Sequence, residues 1–279
     1  MLTSLVITLT SPAEARLPAL LGRAAQAALL AEIGRRDPAL AGQLHAEPSA
    51  AAPVTLRPYT AGNLVLGRRK QGTLHISAGQ SGWLRFTGLT AEVSRVLQAM
   101  AAEPPPTLTL DHHVFTVTGA TLNPAEHPWA ASTHYQELAA PFLLGGLERP
   151  AGRIRLSFVS PTTFKSQGRW TPLPLPELVF GSLLDRWQTF APIALHPEAR
   201  RFAAEAVAPG RYKLRSRGIP QKGGGVRVGF TGWAEFVALN RDRYWLNILH
   251  LLAAYSFFSG VGYGAAAGLG QCRVTEDRG

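Results

Sequence analysis

The sequence has 279 residues, 46% of them hydrophobic and 16% charged, ordinary for a soluble globular protein with one large core or two small ones. Its formal net charge is +10, from 28 Lys+Arg against 18 Asp+Glu, which favours an anionic partner because each neutralised phosphate releases counterions. Cys272 is the one cysteine, which excludes an intrachain disulfide and a cysteine-based zinc site and fits a reducing cytoplasm.

Met1 to Thr10 carries an apolar run without a basic leader or a small-residue cleavage site, so it reads as a strand, with Leu5 to Leu9 as its β-run. Pro18 can open a helix running to Arg36, in which Leu21, Ala25, Leu29 and Ile33 recur at helical spacing. Val54 to Val65 has strand-like stretches, and Thr73 to Phe86 reads as a hairpin turning near Gly79–Gly82. A second helix spans Ala91 to Met100, with Val93, Val96, Leu97 and Met100 on one face, and Pro104–Pro106 stops it. Val114 to Val117 begins a closing strand, and Asn123 to Trp129, with Pro124 and Pro128, reads as a linker.

The order then repeats. Ile154 to Val159 is a strand and Leu175 to Phe190 a helix. Arg211 to Arg217 pairs with Val226 to Phe236 around the Gly223–Gly225 turn, Arg243 to Phe258 is an apolar helix, and Gln271 to Thr275 is the last strand. No formally charged residue lies between Arg243 and Arg273, but Asn247, His250, Ser256 and Ser259 interrupt the stretch. A buried helix followed by a loop fits better than a membrane span, which needs ~20 apolar residues in a row. The fold class expected is α+β, two tandem ferredoxin-like (RRM-like) βαββαβ domains, at 1–125 and 130–279.

The basic residues are unevenly placed. Only Lys70, Lys165, Lys213 and Lys222 are lysines; the rest are arginines, which suits phosphate recognition or simply a GC-rich gene. Arg68, Arg69 and Lys70 form one run. Arg211, Lys213, Arg215 and Arg217 alternate along a strand and should line one face, with Lys222 and Arg227 following across the turn. Cations at period two repel unless a polyanion lies over them, so the strand reads as an RNA surface, with a solvated strand as the alternative. Gly260 to Gly270 is glycine-rich, which suits either backbone N–H groups laid against phosphate or a tight structural turn. His112 and His113 would face opposite sides of a strand, His75 sits in the hairpin, His127 and His134 flank the linker, and His250 lies on the apolar helix. No metal constellation emerges, and no cofactor is expected.

Three segments resemble a known family: Leu44-His45 with Leu56-Arg57-Pro58-Tyr59-Thr60; Ser160-Pro161-Thr162-Thr163-Phe164-Lys165 leading into the run from Pro174 to Trp187; and Gly260-Val261-Gly262-Tyr263-Gly264 through Gly268-Leu269-Gly270-Gln271. Together they resemble the CRISPR-associated endoribonucleases that process repeat transcripts, in the RAMP superfamily. The resemblance implies tandem ferredoxin-like domains, while the single cysteine and the interrupted apolar stretch point to a cytoplasmic location and no membrane. The resemblance also implies metal-independent cleavage of CRISPR repeat RNA by 2′-hydroxyl attack, leaving a 2′,3′-cyclic phosphate and a 5′-hydroxyl.

On this resemblance His45, expected in a loop between the first helix and the second strand, is the acid–base group. Arg57 is the cation at the transition state. Lys165, Gly260, Gly262, Tyr263, Gly264, Gly268 and Gly270 join the basic residues in touching RNA. The sequence departs from the family in two places. No tyrosine occurs from Leu17 to Arg36, and Tyr263 with Ala265–Ala267 stands where relatives carry basic loop residues, leaving Tyr263 to stack on a base. Other Cas proteins of an interference complex are further candidate partners. The competing readings are a non-cutting RNA-binding RAMP subunit and an unrelated small-molecule enzyme on the same scaffold.

Overall fold

The computed structural model describes residues 1–45, 56–66, 69–70, 72–145, 147–221 and 223–275; the side chains of His45, Arg69 and Lys70 are outside the description. Two compact units divide the chain: residues 1–133 with 266–268, and residues 134–265 with 269–279.

The first unit runs β1 (Leu2–Thr10), β2 (Ala15–Pro18), α1 (Gly22–Arg36), α2 (Pro38–His45), β3 (Tyr59–Ala61), β4 (Arg69–Lys70), β5 (Thr73–Ile76), β6 (Ser81–Gly88), α3 (Ala91–Ala102), β7 (Thr107–Leu110), β8 (His113–Thr121) and β9 (Ala131–Thr133). Its main sheet has the order β3-β6-β1-β8-β7, with β9 continuing along the β1 edge beyond β8. The strands β3, β6, β1 and β8 with α1 and α3 give the ferredoxin-like order. β1 is central, which is why it is buried almost throughout. Leu5, Ile7 and Leu9 alternate into one core with Leu84, Phe86, Leu29, Ile33, Leu97 and Met100. Ser4, on the opposite face of β1, accepts from Arg85 Nε at 2.7 Å and donates to the Trp129 carbonyl at 2.5 Å. The Arg85 guanidinium lies 4.8 Å from the Trp129 ring centre. The segment read as a linker therefore carries no helix or strand, yet its tryptophan is buried against this sheet.

Several expectations here need correction. Pro18 ends β2 rather than starting a helix; α1 begins at Gly22, whose N–H donates to Asn63 Oδ1 at 2.8 Å. Asn63 Nδ2 in turn donates to the Gly268 carbonyl at 2.6 Å, so one side chain caps the helix and holds the 266–268 segment. Thr73 to Phe86 is not a hairpin, because β5 pairs with β2 and β4 in a small separate sheet while β6 pairs with β1 and β3. Strand structure within Val54 to Val65 is confined, among the described residues, to β3 and a bridge from Val65 to Trp83. His112 lies in the turn before β8, beside Asp111, so the two adjacent histidines do not share a strand.

The second unit runs α4 (Tyr135–Leu143), β10 (Arg153–Thr162), β11 (Phe164–Ser166), β12 (Arg169–Thr171), α5 (Pro176–Phe190), α6 (Ala199–Ala206), β13 (Val207–Pro220), β14 (Val226–Ala238), α7 (Arg243–Ser259) and β15 (Cys272–Val274). The sheet order β13-β14-β10-β15 is again ferredoxin-like, so the tandem arrangement stands. Ile154, Leu156 and Phe158 of β10 and Phe230, Ala234 and Phe236 of β14 face the helices, with Phe180 of α5 edge-on to Phe236. Trp187 anchors the helical layer, its Nε1 donating to the Ile193 carbonyl at 2.7 Å while Tyr135 and Tyr255 meet its ring edge-on. Each such fully buried side chain stabilises the fold by roughly 1.5–3 kcal/mol of transfer free energy.

α7 is apolar nearly all round because it is buried nearly all round; Asp242 caps it by accepting from the N–H groups of Tyr244 and Trp245. Among the described residues no helix is long and apolar enough to cross a membrane. Cys272 on β15 is 0% exposed, and burial pushes its thiol up to about 12.

Candidate nucleic-acid interface

In an antiparallel sheet, residues directly opposite each other lie on the same face. Lys213, Trp233, Ser157 and Arg273 are opposite one another in a row across β13, β14, β10 and β15. This is the face turned away from the helices. Arg215 faces Thr231, Arg217 faces Gly229 and Arg155 faces Glu235 on the same side. The four strands carry eight cations and one carboxylate, Glu235. Glu235 is 3% exposed and accepts from Arg153 Nη1 at 2.8 Å, so the acid is spent within the face. Arg155 lies 3.5 Å over the Trp233 ring, and Arg217 Nε donates to Thr231 Oγ1 at 3.1 Å. Lys213, Arg215 and Arg217 are exposed.

The predicted alternation along β13 holds from Lys213 to Arg217. Arg211 falls at a register shift between Pro209 and Tyr212, so it stands outside the ladder and not in the row with the others. Arg68 and Lys222 lie outside the described residues, as do the side chains of Arg69 and Lys70. Sequence reasoning missed Arg153, Arg155, Arg273 and Trp233. The alternation Arg153-Ile154-Arg155-Leu156 was there to be read as a strand with one charged face. Trp233 was not, because its place in the row depends on register.

The second cluster gathers at the glycine loop. Lys165 is on the exposed side of β11, and Arg227 is the second residue of β14. The loop's backbone donors are largely used within the fold. The N–H of Val261 donates to Gly270 O, that of Gly262 to Ser182 Oγ, that of Tyr263 to Thr163 O, and that of Gly270 to Pro161 O, at 2.8–3.0 Å. Gly260 caps α7 by donating to Ser256 O, Gly264 O accepts from Leu269 N, and Gly268 O accepts from Asn63. Of the two readings of this loop, the tight structural turn describes these amides. Arg186 of α5, 4% exposed, donates to Gly262 O at 2.9 Å from below, and burial lowers its pKa.

In the first unit, His45 is the last residue of α2 rather than part of a loop. The helix forms because Asp37 accepts from Leu40 N at 2.9 Å and Pro38 fits the first helical position. Leu40 and Leu44 bury its apolar side. Arg57 Nη1 donates to the Leu44 carbonyl at 2.5 Å, which fixes the guanidinium beside the residue preceding His45. The Arg57 guanidinium is thus held at the main chain next to His45. Among the described residues no group of three or more His, Cys, Asp and Glu side chains is placed to hold a metal ion.

Two ferredoxin-like units, the second with a glycine loop ahead of its last strand, are the arrangement that the resemblance implied. The family model described as "CRISPR-associated endoribonuclease Cas6" matches residues 156–272. A curated relative, "CRISPR-associated endoribonuclease Cas6" of Mycobacterium tuberculosis, is 32% identical over 135 residues, which is 45% of this chain and 40% of that protein's length. The chain also superposes on a structure described as a Cas6 product complex, with a TM-score of 0.76, 27% identity and coverage of 99% of this chain and 100% of that one. Thermus thermophilus Cas6 gives a TM-score of 0.70 at 26% identity over 99% and 98% of the two chains. The chain is similar to Cas6 proteins over these stretches, and it spans less than half the length of the curated relative it matches.

Proposed function

We propose that this chain binds CRISPR repeat RNA and cuts it without a metal ion. The observation that carries the reading is the outer face of the second sheet, where Arg153, Arg155, Lys213, Arg215, Arg217 and Arg273 meet one carboxylate that is already paired. Such a face repels itself unless a polyanion lies on it. The similar structure described as a product complex supports the same reading.

In the cleavage proposed, O2′ of the nucleotide before the scissile bond attacks phosphorus as its proton leaves, and the P–O5′ bond breaks as O5′ takes up a proton. The products are a 2′,3′-cyclic phosphate and a 5′-hydroxyl. His45 carries one of the two proton transfers, and Arg57, held by the Leu44 carbonyl, faces the charge that builds on the phosphorane. The missing tyrosine in α1 favours a second reading, a RAMP subunit that binds RNA inside an interference complex and does not cut it.

The test is incubation of the intact protein with its repeat RNA in excess EDTA. A product ending in a cyclic phosphate supports the nuclease; binding without product selects the second reading; no binding overturns both. Replacing Arg215 and Arg217 together with Glu should weaken binding at least tenfold and reduce the slope of log affinity against log salt by about one unit for each phosphate no longer neutralised. An unchanged salt slope would remove this face from the interface.

A further inference from the structure

Trp170 of β12, Arg227 at the start of β14 and Tyr263 in the glycine loop come from three separate stretches of the second unit. The Arg227 guanidinium lies 3.3 Å from the centre of the Trp170 ring and 5.2 Å from that of Tyr263. The two rings meet edge to face with centroids 4.9 Å apart, and the Lys165 ammonium is 5.8 Å from Trp170. The cluster stays open to solvent, with Trp170 37% and Tyr263 41% exposed.

It is also held in place. Tyr263 N is fixed on Thr163 O, and Gly262 is clamped between Ser182 and Arg186. Gly262 has φ +73, and a Cβ there would stand 2.6 Å from Thr163 O, so the loop is fixed at the residue before the tyrosine. Exposed, immobilised aromatic rings with cations beside them are the chemistry that recognises a nucleotide: the rings stack a base and the cations meet its phosphate.

We propose that Trp170 stacks one unpaired base of the bound RNA on the face away from Arg227, that Tyr263, standing at 82° to it, braces the edge of that base, and that Arg227 and Lys165 hold the adjoining phosphate. This rests on the reading of the chain as an RNA-binding protein and adds the kind of nucleotide taken at this point, unpaired and of any base identity. It also accounts for a glycine loop without basic residues, since the neighbouring strand and hairpin supply the charge.

The test measures affinity of the intact protein, wild type, Trp170→Ala and Trp170→Phe, for repeat RNA and for the same RNA with one abasic nucleotide at each position in turn. Trp170→Ala should weaken binding of the intact RNA about tenfold, and Trp170→Phe should stay within about threefold. One abasic RNA should bind wild type about tenfold more weakly and lose nothing further with Trp170→Ala. The inference is overturned if Trp170→Ala binds like wild type, or if its loss is the same on every abasic RNA. Should Trp170→Ala not fold, the wild-type abasic series decides, and no single sensitive position overturns the inference. Wild type that binds no repeat RNA overturns the proposed function itself, a result distinct from all of these.

Discussion

His45→Ala is expected to reduce single-turnover cleavage of repeat RNA by roughly 10²–10⁴-fold while leaving RNA affinity within a few-fold. General acid–base catalysis contributes that much when one positioned group moves the proton. In free-energy terms this is about 3–5 kcal/mol taken from the transition state alone. Binding should survive because the cations proposed to meet the phosphates are other residues, in particular those of the β13 row. End-labelled RNA followed by gel gives the rate, and filter binding gives the affinity. Cleavage at the wild-type rate would remove the imidazole from the mechanism, and a parallel loss of rate and affinity would make His45 a binding residue instead.

Gly270→Ala should destabilise the protein more than any surface change. Gly270 has φ +67, and an added Cβ would stand 1.9 Å from the Val261 carbonyl, in the turn where Val261 N donates to Gly270 O at 2.8 Å. Neither the conformation nor the space is available to a side chain, so both the backbone strain and the broken ladder weigh against folding. A loss on the order of 3 kcal/mol is expected, which for a chain of this size lowers Tm by about 10 °C. Gly223 is the control: a Cβ there meets nothing within 4 Å, and alanine should leave Tm within about 2 °C. Differential scanning calorimetry of the two variants distinguishes a glycine required by geometry from one that is merely present.

Elements with strong local periodicity were legible in the sequence. α3 shows Val93, Val96, Leu97 and Met100 on one face, and the β13–β14 pair was readable from its alternation and glycine turn. α2 was missed even though Asp37-Pro38 is a good start signal, because its eight residues are mostly small and give little hydrophobic pattern. α6 was missed for a like reason: it buries only Ala199 and Ala203. Other features are written in no local window. The cap on α1 comes from Asn63, 41 residues away, and the ring of Trp129 meets the guanidinium of Arg85 on β6. Within the candidate interface, charges on β13 were visible as a run. The row that joins them to Trp233 and Arg273 exists only once the register of four strands is set. The register also put Arg211 out of the row, since a bulge leaves no mark in a pattern of alternating letters.

The sealed thiol on β15 has a practical consequence. With the sole cysteine wholly shielded and its ionisation suppressed by burial, maleimide or iodoacetamide reagents should leave the folded chain untouched. A cysteine introduced on any exposed strand would then take up a fluorophore at a single address without a cysteine-free background being built first. Dyes placed along β13 could report the arrival of RNA in real time on the otherwise natural sequence.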